Sequence, residues 1–136
     1  PFGIWKHCKG IDAINIQQVE NQTQTNDFDT LTYTDVHIGM DTDKYKNSMY
    51  PIEWNRKEIM KQADYMVEQT ILNKSSDTLV VDELGDLLDG YNEQTTRGGH
   101  KLPQNMGNDA AFDCALEFKM RILNGLISHY KYIFLV

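Results

Sequence analysis

Three short stretches of the chain carry the alternating or β-branched apolar pattern of strands. Residues 30–34 alternate threonine with leucine and tyrosine and predict a first strand that ends at Asp35. The largely β-branched residues 78–81 predict a second strand, and residues 131–136, which are apolar after Lys131, predict a third. The chain therefore offers three sheet-forming segments separated by long intervals.

Between these strands, apolar residues recur at the three- and four-residue spacing of amphipathic helices. One helix is predicted at about residues 56–73 and another at about residues 109–128. Asn55 is placed to cap the first helix, with Glu58 three residues further on as in a capping box. The residues predicted to form the two apolar faces are Ile59, Ala63, Met66, Val67 and Ile71 in the first helix, and Ala111, Ala115, Phe118, Ile122 and Leu126 in the second.

The order strand, helix, strand, helix, strand predicts an α/β fold. Helices of this length between apolar strands imply right-handed crossovers, and hence a βαβαβ unit with a mainly parallel sheet. In open sheets of this kind, ligands bind beyond the carboxyl ends of the strands. Functional residues are therefore expected just after the first and second predicted strands.

Two regions show no such period. Residues 1–29 contain a polar tract at 17–26 and a short Ile-Asn-Ile stretch at 14–16 that is compatible with one more strand. They predict a lead-in or linker, followed by one domain over residues 30–136. The insert at residues 84–107 joins the second strand to the second helix, and loops of that length in compact domains are commonly functional or mobile.

Composition and charge narrow the class of protein. The 136 residues, 40% hydrophobic and 24% charged, are typical of one soluble globular domain. Thirteen basic against twenty acidic residues give a net charge of −7, which argues against a module that coats nucleic acid or binds an anionic membrane. No stretch approaches the ~18 apolar residues of a membrane span, and the N-terminus lacks a signal-peptide pattern, so a cytoplasmic protein is expected.

The ends of the chain and its cysteines add two expectations. Pro1 and the apolar ending at Val136 look like cut termini, which predicts a piece of a longer protein. Cys8 and Cys114 lie far apart and match no zinc or redox spacing, so both are expected to be reduced thiols.

Residues that can bind a metal follow the first two predicted strands. Asp35 and His37 come directly after the first strand, and Asp86 follows Gly85 after the second. Because neighbouring parallel strands end at the same sheet edge, the three side chains are expected to lie together there. A carboxylate oxygen combined with an imidazole nitrogen suits Zn, Mn or Fe rather than Ca. A second interpretation stays open, in which these are ordinary strand-end polar residues of a non-catalytic α/β binding or scaffold module.

In this order and at these strand ends, the motifs resemble those of the calcineurin-like metallophosphoesterase superfamily. The family's D-x-H motif matches residues 35–37, followed by the frequent glycine at Gly39, and its G-D-x-x-D motif matches residues 85–89. The resemblance covers roughly residues 30–136. It implies the N-terminal portion of the family's four-layer αββα sandwich and a hydrolase that acts on phosphate esters.

The resemblance also implies a role for each matched residue. Asp35 and His37 would bind the first metal of a two-metal site, and Asp86 would bridge both metals. Asp89 and Gly90 would shape the loop rather than bind metal. The family's third motif, an Asn followed by a His, comes after the third strand, where this sequence stops. The chain is therefore expected to be the N-terminal half of a catalytic domain, to hold at most one metal weakly and to be inactive by itself.

The long insert supplies two candidate catalytic residues, Arg97 and His100. A guanidinium group forks onto phosphate oxygens, and an imidazole can donate a proton. Their interpretation as incidental residues of a surface loop is equally open. The insert, including its residues 101–105, is similar to stretches in phage-type members of the superfamily, which implies a phage origin and a nuclease-like activity.

The leading hypothesis is therefore a fragment of a divalent-metal-dependent phosphoesterase, with Mn, Zn, Fe or Mg as the metal. Its expected partners are a phosphate ester substrate, with nucleic acid as one option, and the missing half of the same domain. No membrane partner is expected. The net charge of −7 lends no electrostatic support to a nucleic-acid substrate.

Overall fold

The computed structural model of the chain describes residues 27–42, 53–92 and 101–136. The predicted α/β fold with its βαβαβ order is confirmed, and each element begins and ends within two residues of its expected bounds. The stretch at 14–16 that is compatible with a further strand lies outside the described residues. The elements are, in chain order, β1 (Asp29–Tyr33), α1 (Arg56–Leu72), β2 (Thr78–Glu83), α2 (Asn108–Leu126) and β3 (Tyr132–Leu135).

The sheet of the described residues has three parallel strands in the order β1-β2-β3. Helices α1 and α2 pack against each other and share one buried cluster with Leu79 and Val81, so they cover the same face of the sheet. The register pairs Val80 with Phe134, and alternation along the strands turns both toward the opposite face. Phe134 is 56% exposed there.

Helix α1 begins where the sequence predicts, because Asn55 caps it. The Oδ1 atom of Asn55 accepts a hydrogen bond from the Glu58 backbone N–H at 3.1 Å, which satisfies one free donor of the first turn. At the other end, the backbone N–H and the side-chain amide of Asn73 both donate to the Gln69 carbonyl. The predicted apolar face lies against the core, with all its members buried or partly buried: Ile59, Ala63, Met66, Val67 and Ile71.

Helix α2 buries all five residues predicted for its apolar face. The ring of Phe118 meets Tyr33 edge-on, with centroids 5.6 Å apart and an interplanar angle of 82°. A Cβ atom on Gly125 would lie 2.7 Å from Val67 Cγ1, so the two helices approach closely at this glycine. Cys114 is a buried free thiol whose pKa is raised by burial, while the other cysteine lies outside the described residues. Neither described helix is long and apolar enough to cross a bilayer.

Strand β2 is two residues longer than predicted, which corrects the expected end at Val81. Asp82 and Glu83 continue the strand, and the register places Glu83 opposite Tyr33. The Glu83 carboxylate accepts a hydrogen bond from the Tyr33 hydroxyl at 3.2 Å and lies 2.5 Å from Lys119 Nζ. Burial, reinforced by this carboxylate, raises the pKa of Tyr33 to about 12. A charged residue can therefore end this half-buried strand because its partners come from distant positions.

At the amino end of β1, the Asp29 carboxylate ties three segments together. It accepts hydrogen bonds from the backbone N–H groups of Ser75 at 2.9 Å and Ser76 at 3.1 Å, and from the Ser75 hydroxyl at 2.5 Å. The Tyr130 hydroxyl donates to it at 3.0 Å. Although burial raises the pKa of Asp29, these hydrogen bonds outweigh it and lower the pKa to about 2. The α1–β2 and α2–β3 connections are thus both fastened to the start of β1.

Because the folded-state pKa of Asp29 lies below the ordinary value of 3.8, its carboxylate contributes stability that is present above about pH 4 and lost as the pH falls through about 2. We expect this group to account for about 1–2 kcal/mol of unfolding free energy over that window, after allowing for solvent screening. Urea denaturation at a series of pH values measures it. Compared with wild type, Asp29→Asn should have a lower free energy of unfolding near pH 7. Its free energy of unfolding should also change less between pH 4 and pH 2.

Asp113→Asn, which removes an exposed carboxylate from α2, is the matched control and should keep the wild-type pH dependence. An equally steep loss of stability in wild type and Asp29→Asn would contradict the role assigned to this carboxylate.

Candidate metal centre

The loops that follow β1 and β2 run side by side beyond the ends of the strands. The Asp35 backbone N–H donates to the Gly85 carbonyl at 3.2 Å, and the His37 N–H donates to the Asp86 carbonyl at 3.0 Å. One residue further on, Ile38 forms an isolated parallel bridge with the same neighbouring loop. The parallel pairing of the sheet therefore continues into both loops and holds them together at the carboxyl edge of the sheet.

The backbone of these loops is strained at the residues that the sequence singles out. Among the described residues, four non-glycine positions have positive φ, and three of them are Asp35 at 53°, His37 at 48° and Asp86 at 52°. The left-handed conformation costs an ordinary residue roughly 1–2 kcal/mol, although Asp tolerates it better than most. Residues held in such conformations cluster at functional sites, where the surrounding structure determines their geometry. Gly39 and Gly85 in the same loops have φ of 102° and 105°, which glycine adopts readily.

The structure brings the side chains of Asp35, His37 and Asp86 together, and we call these three residues the Asp-His-Asp group. One ligand atom from each residue lies within 4.8 Å of the other two. His37 Nε2 lies 3.5 Å from Asp35 Oδ1. Two atoms bound at about 2.1 Å to one tetrahedral metal are roughly 3.4 Å apart, so this pair is spaced like two ligands of a single cation. The donor set of two carboxylates and one imidazole fits Zn, Mn or Fe.

The two carboxylates of the group are exposed, whereas His37 is half-buried. The Thr34 hydroxyl donates to Asp35 Oδ2 at 2.8 Å, which leaves Oδ1 as the oxygen nearer His37. Both carboxylates are therefore accessible to a cation from solvent. That these residues bind a metal stays a prediction.

Asp89 has a contact that the sequence did not reveal. It is only 7% exposed, and its Oδ1 atom lies 3.1 Å from His37 Nδ1. Burial raises the pKa of Asp89, although the neighbouring imidazole opposes this shift. Its main chain also helps to shape the loop, because its N–H donates to Ile38 and its carbonyl accepts from Gln104 Nε2. The spacing of the G-D-x-x-D motif gave no signal for which ring the last carboxylate would meet.

Further hydrogen bonds, made by residues outside the two paired loops, hold the loop that follows β1. The indole Nε1 of Trp54 donates to the Val36 carbonyl at 2.8 Å. The side-chain amide of Asn105 donates to the carbonyls of Met40 at 2.9 Å and Trp54 at 2.7 Å, and its backbone N–H donates to Gly39 at 2.8 Å. The loop that carries two members of the Asp-His-Asp group is thus held by the residues that lead into α1 and α2.

The two candidate catalytic residues of the insert, Arg97 and His100, lie outside the described residues. Their predicted roles as a phosphate contact and a proton donor stay predictions.

Comparison with known proteins gives no family for this chain. No protein-family model, no curated protein sequence and no solved structure matches it. The likeness to metallophosphoesterases therefore rests on the two motifs and on the order of the elements.

The strain at Asp86 predicts an inverted order of stability for two substitutions. At most positions a protein with glycine is less stable than one with alanine. At Asp86, whose φ is 52°, an alanine would be strained and a glycine would not. We expect Asp86→Gly to be more stable than Asp86→Ala by about 1 kcal/mol, measured by urea denaturation without metal. In α2 the order should reverse, with Asp113→Gly about 1 kcal/mol less stable than Asp113→Ala. The same order at both positions would argue against strain at Asp86.

Proposed function

We propose that the chain is the N-terminal part of a divalent-metal-dependent phosphoesterase domain. The observation that carries the proposal is the convergence of Asp35, His37 and Asp86 from two paired loops, each on left-handed backbone. The motif resemblance to calcineurin-like metallophosphoesterases supports the class of reaction, which is hydrolysis of a phosphate ester. Ordinary strand-end polar residues give no reason for strain at all three positions.

Each residue of the site would have a distinct chemical role. Asp35 Oδ1 and His37 Nε2 would hold one cation, and the exposed Asp86 carboxylate is open for sharing with a second. A divalent cation bound there supplies Lewis-acid stabilisation of phosphoryl oxygens and activates water for attack. We assign contact with the phosphate to Arg97 and proton donation to His100, both from the insert. The proposed substrate is a phosphate ester, with the nuclease-like activity of a phage-type protein as the narrower form.

Among the described residues, no helix or strand covers the face of the sheet opposite α1 and α2, and this supports the finer part of the proposal, an αββα sandwich. Parallel sheets are commonly covered on both faces, whereas α1 and α2 both lie on one face of this sheet. Val80 and the exposed Phe134 offer apolar surface on the other face. We propose that a second sheet from the remaining half of the domain packs there and brings the Asn-His motif to the site.

Metal binding is tested by thermal unfolding of the 136-residue chain with Mn²⁺. A ligand that binds only the folded state at 100 times its Kd stabilises by about 2.7 kcal/mol, so the melting temperature should rise by several degrees. Asp86→Asn should abolish the rise, whereas Asp113→Asn, with the same loss of charge on α2, should retain it. Ca²⁺ should have a smaller effect because it prefers an all-oxygen site. If Mn²⁺ and Zn²⁺ both leave the wild type unchanged, the scaffold interpretation is favoured.

A further inference from the structure

The imidazole of His37 lies between two carboxylates that meet different nitrogens of the ring. Asp89 Oδ1 is 3.1 Å from Nδ1, and Asp35 Oδ1 is 3.5 Å from Nε2. A neutral imidazole carries a single N–H, so only one of these nitrogens can donate while the other presents a lone pair. The two carboxylates thus compete to decide which nitrogen is free.

The two contacts are unequal, and Asp89 has the stronger one. The distance of 3.1 Å is that of a hydrogen bond, whereas 3.5 Å is at the limit of one. Asp89 is also shielded, with 8% of its side chain exposed against 60% for Asp35, so water competes less for its oxygen. If Nδ1 lacked its proton, a buried carboxylate oxygen and a ring lone pair would face each other with no hydrogen between them, which is costly.

The main chain of Asp89 is fixed on both sides, which holds the base of its side chain in place beside the ring. Its N–H donates to the Ile38 carbonyl at 3.0 Å, and its carbonyl accepts from Gln104 Nε2 at 2.8 Å. The His37 main chain is held in turn by the Asp86 carbonyl. The position of the ring is therefore set by Asp89 and by the main-chain pairing of the two loops.

From this geometry we propose that Asp89 is a positioning residue, which keeps neutral His37 protonated on Nδ1 and presents Nε2 to the metal. The metal-binding half of this statement rests on the proposed function, and the tautomer half does not. Partners of this kind fix the tautomer and the direction of a histidine ligand and raise its basicity. The role goes beyond shaping the loop, because it leaves a lone pair on Nε2, the nitrogen that lies near Asp35.

The tautomer is measured in the metal-free protein by long-range ¹H–¹⁵N NMR. The ring ¹⁵N shifts also distinguish a neutral from a doubly protonated imidazole, and the tautomer is compared where these shifts show a neutral ring. His37→Gln assigns the His37 signals by their loss. We expect a protonated Nδ1 and an unprotonated Nε2 in wild type, and loss of this preference in Asp89→Ala. Asp89→Asn should weaken the preference less than Asp89→Ala, because its amide oxygen can still accept from Nδ1–H while its NH2 can instead donate to an unprotonated Nδ1. A ring protonated mainly on Nε2 in wild type would overturn the proposal.

Metal affinity is measured separately by titrating the same variants with Mn²⁺. Asp89→Ala should bind about 10–100-fold more weakly than wild type, Asp89→Asn should lose less, and Asp113→Asn should bind normally. Wild-type affinity in Asp89→Ala would overturn the positioning role while leaving the proposed function intact. If the wild type binds no Mn²⁺, the proposed function fails, and the NMR result still decides whether Asp89 selects the tautomer.

Discussion

The parallel pairing of β1 with β2, continued by main-chain hydrogen bonds into the two following loops, is the constraint on which the site depends. Asp35 and His37 each donate a backbone N–H to the neighbouring loop, so the spacing of their side chains from Asp86 is set by the main chain. This pairing depends in turn on the core, where Leu79 and Val81 pack under α1 and α2. A shift of register by one residue would exchange the two faces of the strand, so the core also protects the geometry of the loops.

The order and extent of the elements could be predicted because they follow from local pattern. The spacing of apolar residues predicts both helices, and Asn55 predicts where α1 begins. The approach of the metal-ligand candidates could be predicted too, because parallel neighbours end at one edge. The contact of Asp89 with His37 depends on loop dihedrals that no period encodes. The extra length of β2 depends on Lys119, a distant partner for Glu83, which a local pattern cannot reveal.

Stabilising hydrogen bonds and strained backbone lie at opposite ends of the strands. At the amino end, Asp29 collects four hydrogen bonds from two connections, and this favours the folded state. At the carboxyl end, the loops hold three chemically versatile side chains on left-handed backbone. Proteins commonly give up some stability at functional sites and recover it elsewhere. In this protein, the hydrogen bonds of Asp29 stabilise the amino end of the sheet, and the strained residues lie in the loops at its carboxyl end.

Strand β3 has a consequence for how the protein behaves in solution. It is one of the two edge strands of the described sheet, so one row of its backbone N–H and C=O groups has no neighbouring strand within that sheet. Its residues Phe134 and Leu135 are 56% and 64% exposed. An open edge next to apolar side chains is a template on which another chain can add a strand. Self-association through this edge would rise with protein concentration, and charged or proline residues are the usual means by which proteins prevent it.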